Sequence, residues 1–229
     1  VFGETCTTMT QVEGMDTGSI THTISIAVLV AGKPAKSTLE TFGGYETMFA
    51  RQLQEALQAI PRFHYHQKKV LQVGAFDVTA GELPDEEELG EGQWDALIAL
   101  VVVRIATNQP NLPLMQAWIN DLCKFLVHTA EEHPLVRIIG VCFGHHLIAR
   151  AFGGEVAKNV AGWEFGTISS TLTAIGREIL SYPPDTNDMV RYANIGLIQL
   201  HQDHVTKVPP PFEDAEFSVL ASTENTPVQ

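Results

Sequence analysis

The run Leu135-Val136-Arg137-Ile138-Ile139 passes directly into Gly140-Val141-Cys142-Phe143-Gly144-His145, and few folds can use such a junction. A buried strand that ends in Gly-x-Cys-x-Gly and continues as a helix forms a nucleophile elbow. The central residue is held in a strained turn, so its neighbours must be small, and glycine on both flanks meets that need. The thiol then stands above the strand end at a helix N-terminus, where free backbone N–H groups and the helix dipole favour the thiolate. Cys142 is therefore the candidate nucleophile. The bland alternative is an inert buried thiol, the ordinary state of a free cysteine.

The rest of the chain reads as a frame for that elbow. Ile24–Val30, Val70–Phe76 and Trp94–Val103 are apolar throughout, as strands buried on both faces must be. Helical periodicity separates them. Met48, Phe49, Leu53, Ala56, Leu57 and Ile60 fall on one face of a helix from Tyr45 to Ala59, closed by Pro61. Leu114, Met115, Trp118, Ile119, Leu122, Phe125 and Leu126 form a second stripe behind Pro113, and a third helix over His145–Phe152 is capped by Gly153-Gly154. Alternating strands and helices predict an α/β fold with a mostly parallel central sheet and helices on both faces. Short segments at Thr167–Leu172, Ile195–Leu200 and Phe217–Ala221 predict a few added antiparallel strands. The acidic run Glu82-Leu83-Pro84-Asp85-Glu86-Glu87-Glu88 reads as a solvated loop. Residues 1–22 read as a flexible extension and 23–229 as a single domain.

Composition narrows the function. The chain has 229 residues, 45% hydrophobic, with a formal net charge of −13. That charge argues against nucleic acid or an anionic membrane as partner. Three cysteines, Cys6, Cys123 and Cys142, are no disulfide framework, so a reducing compartment, the cytoplasm, is expected. His145-His146 and His201-x-x-His204 lack the spacing of known zinc motifs, so neither metal nor cofactor is expected.

Val136 to Gly154 resembles the nucleophile segment of the class I glutamine amidotransferase-like family, in particular its stand-alone fungal members and the gamma-glutamyl peptidases. Gly43-Gly44-Tyr45, Gly162-Trp163-Glu164-Phe165-Gly166 and His201-Gln202-Asp203-His204-Val205 resemble further segments of that family, in the same order. The resemblance implies a flavodoxin-like sheet of the class I amidotransferase type. It implies that Cys142 attacks a carboxamide or gamma-glutamyl carbonyl and forms a thioester. The backbone N–H of Phe143 would serve the oxyanion, with a second donor from the loop after the third strand. Gly44, Tyr45, His146, Trp163 and Glu164 would line the substrate site. The substrate would be glutamine or a gamma-glutamyl small molecule.

The sequence departs from the family pattern in three places. The family takes its base and the base's partner from a His-Pro-Glu turn, and these 229 residues contain none; the chain reads as C-terminally incomplete, with an uncovered sheet edge near Phe217–Ala221 that would favour self-association. His201 is the best internal substitute for the base. The loop after the third strand reads Val101-Val102-Val103-Arg104-Ile105, where β-branched residues disfavour a tight oxyanion turn. His146 stands where the family usually has Gln.

Two other functions compete. One is a degenerate, non-catalytic member that binds a small ligand or a partner protein. The other is a cysteine-based α/β-hydrolase, in which Asp185 or Asp188 with His201 or His204 would complete a triad.

Overall fold

The computed structural model describes residues 10–11, 21–59, 68–101, 112–180 and 193–228. The chain divides into two compact units, Val1–Gly144 and His145–Gln229.

The first unit is built on a five-stranded sheet. Its strands are β1 (Thr10–Gln11), β2 (Thr21–Ala31), β3 (Lys68–Asp77), β4 (Ala96–Val101) and β5 (Arg137–Cys142), in the order β1-β3-β2-β4-β5. β3, β2, β4 and β5 run parallel, and β1 pairs antiparallel with β3 at the edge. Ile26, Val28, Val30, Leu71, Val73, Ile98 and Leu100 form one continuous core, covered by Tyr45, Phe49, Ala50, Leu53 and Leu57 of helix α2 (Tyr45–Ala59). Ala27, Leu29, Leu97 and Ala99 alternate with them and are fully buried. β2 and β4 are therefore buried on both faces, which is why they read as unbroken apolar runs.

Three local features differ from the sequence reading. A short helix, α1 (Lys36–Phe42), precedes α2, where the sequence reading has no element. The acidic run is not simply a solvated loop, because it opens helix α3 (Glu86–Gly90). Asp85 accepts from the Glu88 N–H at 2.8 Å, and the Glu88 carboxylate accepts from the Asp85 N–H at 3.0 Å. This capping box satisfies two orphan donors, and the acidic first turn complements the helix dipole. Finally, helix α4 (Leu112–Glu132) is longer than its apolar stripe, with Ile119, Leu122, Leu126 and Thr129 buried. Val102 and Val103, the following loop, and Asp185 and Asp188 lie outside the described residues.

Helix α5 (Phe143–Ala151) leaves β5 directly. It ends at Gly153, whose φ of 87° gives the left-handed cap expected there. The second unit then carries two antiparallel sheets. β6 (Glu155–Lys158) pairs with β9 (Asp203–Lys207), and β7 (Glu164–Leu172) lies between β8 (Asn194–His201) and β10 (Ala221–Ser222). A short helix, α6 (Ala174–Leu180), follows β7. The expected strand over Phe217–Ala221 shrinks to β10. Instead, Phe217 packs its ring 5.5 Å from Phe152, which also meets Phe212 at 4.8 Å. Among the described residues no helix is long and apolar enough to cross a membrane.

Candidate active site

Cys142 is the last residue of β5 and Phe143 the first of α5. The cysteine sits at φ 56°, in the left-handed region that non-glycine residues seldom enter. The residue as a whole is exposed, while its sulfur is partly covered by neighbouring protein. The elbow closes tightly because Gly144 lies against β4: a Cβ there would collide with the Ala99 carbonyl oxygen. Only glycine lets the helix start so close to the neighbouring strand. The flanking glycine therefore serves packing as much as the turn itself.

The electrostatics of the thiol are less simple than a helix N-terminus suggests. Protein packed around the sulfur raises its pKa above the ordinary thiol value, while a hydrogen bond with the Phe143 backbone acts in the opposite direction. Desolvation is the larger influence. The resting group is a thiol, and the expected thiolate needs a base to form.

The remaining sequence-predicted residues of the first unit stand at the start of α2. Gly43 has φ 81° and Gly44 precedes the helix. Tyr45 is half-buried and packs on the sheet core. The oxyanion donor expected after the third strand lies outside the described residues.

In the second unit, β7 and β8 bring Glu164 and His201 into direct register. Glu164 is buried at 5% exposure. Its two oxygens accept from Thr223 Oγ1 at 2.5 Å and Thr226 Oγ1 at 2.6 Å. His201 Nε2 stands 3.5 Å from Glu164 Oε2 and 2.8 Å from Gln199 Oε1, and its Nδ1 lies 3.0 Å from the Asp203 carbonyl. The ring is thus held at both nitrogens. His146 packs its ring 5.8 Å from that of His201, nearly at right angles. Burial drives the pKa of His146 down to about 4, assisted by His145, His201 and His204, so this ring is neutral near pH 7. Burial lowers His145 as well, against a hydrogen bond to the Val228 backbone. His145 Nε2 and His204 Nδ1 are buried among the described atoms without a hydrogen-bond partner.

The second unit therefore gathers His146, Glu164 and His201 into one polar cluster. Trp163 is half-exposed beside it in sequence. Sequence reasoning missed Gln199, Thr223 and Thr226. The alternation of β8 could have revealed Gln199, two residues before His201 and on the same face. Nothing in the sequence marks the two threonines.

The fold is one that the chain shares with solved glutamine amidotransferase structures. The structure superposes on a glutamine amidotransferase of Thermotoga maritima with a TM-score of 0.53 at 14% identity, covering 89% of this chain and 70% of the other. The chain's homologues carry matching names. A Schizosaccharomyces pombe protein described as glutamine amidotransferase-like is 26% identical over 206 residues, 89% of this chain and 72% of the relative. Gamma-glutamyl peptidase 3 of Arabidopsis thaliana is 27% identical over 199 residues, 86% of this chain and 67% of the relative. No protein-family profile matches the chain.

Proposed function

We propose that the chain hydrolyses, or transfers nitrogen or a glutamyl group from, glutamine or a gamma-glutamyl amide, with Cys142 as nucleophile. The observation that carries this reading is an exposed cysteine at φ 56° between β5 and α5. The names of the relatives support the substrate class. The thiol loses its proton to a base, and the sulfur attacks the amide carbonyl carbon. The oxyanion is stabilised by the Phe143 N–H. The C–N bond then breaks as the leaving nitrogen takes up a proton, which leaves a thioester. Water adds to the thioester carbonyl, releases the acid and restores the thiol. Gly44, Tyr45, His146, Trp163 and Glu164 are the proposed substrate-site residues.

His201 is the proposed base within this chain. The buried Glu164 carboxylate beside Nε2 would stabilise the ring once it takes a proton, as the acidic member of a triad does. Release of ammonia from glutamine, or of amine from a gamma-glutamyl amide, tests the reading. It predicts activity that Cys142→Ser abolishes and His201→Ala lowers by about 100-fold or more. Activity untouched by Cys142→Ser would refute it.

One observation favours a second reading. A thiol raised above its ordinary pKa is a poor resting nucleophile, as expected of a non-catalytic member that binds the same small amide. Saturable glutamine binding without turnover would select that reading. The cytoplasm remains the proposed location, on cysteine usage alone.

A further inference from the structure

A second side-chain cluster lies in the first unit, outside the elbow. Glu86, the first residue of α3, presents both carboxylate oxygens to histidines: Oε1 is 2.8 Å from His133 Nε2, and Oε2 is 3.0 Å from His128 Nε2. The three ligand-type atoms lie within 4.8 Å of one another. The convergence is not automatic. On a continuous helix, residues five apart point about 140° away from each other. Here α4 ends at Glu132, and His133 lies just beyond it. Its N–H still bonds to the Thr129 carbonyl at 2.9 Å and its carbonyl accepts from the Val136 N–H at 2.9 Å. That turn leaves the His133 ring beside His128, with the ring centroids 6.3 Å apart.

We propose that Glu86, His128 and His133 bind a divalent transition-metal ion of the zinc class. Two imidazoles and one carboxylate suit zinc and its neighbours, whereas magnesium and calcium want oxygen ligands. Ligands around zinc at about 2.0–2.1 Å stand roughly 3.3 Å apart in a tetrahedron, and the two carboxylate–imidazole separations of 3.0 and 2.8 Å lie near that spacing. Glu86 and His128 are exposed and His133 is largely covered, so solvent can complete the coordination. The ion would take the place of the two contacts that the imidazoles make with the carboxylate. It would pin α3 to the end of α4, a cross-link with no part in the chemistry at Cys142.

The test is calorimetric titration of the chelator-treated chain with zinc chloride, and with magnesium chloride as control. Each variant's melting temperature is followed with and without zinc. The proposal predicts one tight zinc per chain, no magnesium, and a zinc-dependent rise in Tm. Glu86→Gln, His128→Gln and His133→Gln should each weaken zinc by about 10-fold or more, while Cys142→Ser leaves zinc affinity unchanged. A metal-free Tm matching the parent's identifies a folded variant. Absence of zinc binding overturns the proposal, and so does binding that survives in the folded His128→Gln and His133→Gln chains.

Discussion

Glu164 and His201 face each other across β7 and β8, with the carboxylate buried and the ring Nε2 3.5 Å away. The carboxylate stays buried because Thr223 and Thr226 donate to its two oxygens. β10 and the segment after it are thereby tied to β7 by charge-assisted bonds as well as by the ladder. Thr226→Val keeps the shape and removes one donor. It should cost about 1.5–3 kcal/mol in urea unfolding; a loss within error of zero would mean that the carboxylate finds another partner.

Gly144 should tolerate nothing larger. In Gly144→Ala the new Cβ meets a backbone oxygen, not a flexible side-chain tip, so β4 or the start of α5 must move. The expected cost is at least the ~1–3 kcal/mol of ordinary overpacking. An alanine variant as stable as the parent would contradict the observed closeness of helix and strand.

The strain at Cys142 gives a comparison that separates stability from activity. The left-handed conformation costs a residue with a Cβ about 1 kcal/mol, and glycine escapes that cost. Cys142→Gly should therefore be more stable than Cys142→Ala by about 1 kcal/mol, and both should be inactive. The reverse order at an ordinary helix or strand position makes this a direct readout of backbone geometry at the elbow.

His146 sets a pH dependence with a definite sign. Its pKa is about 4 in the folded chain against an ordinary value of 6.5. Above pH 6.5 the ring is neutral in both states and contributes nothing. As the pH falls toward 4 the unfolded chain takes up the proton and the folded chain does not, so stability declines by about 3 kcal/mol. Below the folded value the effect levels off. His145, lowered by the same burial, acts in the same direction. In His146→Gln the decline between pH 6.5 and 4 should be shallower. An unchanged slope would show that the ring titrates normally.

These relationships were unequally visible in the sequence. α2 was legible to the residue from its 3.6-residue stripe, whereas β2 starts three residues before the apolar run Ile24–Val30 that marked it, because its polar first residues carry no apolar signal. The elbow was legible because a strained turn demands glycines at fixed positions. α3 was hidden behind its charge, although Asp85-x-x-Glu88 carries the capping-box spacing. The polar cluster was half visible: Glu164 and His201 stand in recognisable segments, while Thr223 and Thr226 reach Glu164 from 59 and 62 residues away. The Glu86–His128–His133 group spans 42 and 47 residues and depends on where α4 ends. Strand register and helix termini are products of packing, and a linear pattern does not encode them.

The nucleophile itself can be tested by treating the chain with an electrophilic glutamine analogue and following intact mass and peptide mapping with time. A thiol raised by burial reacts slowly with a simple alkylating agent near neutral pH, so fast labelling by the analogue requires a site that holds the glutamyl group and a base that takes the proton. The account predicts a single adduct on Cys142, formed well ahead of Cys6 and Cys123 and slowed by excess glutamine. Equal, slow modification of all three cysteines, indifferent to glutamine, would contradict it.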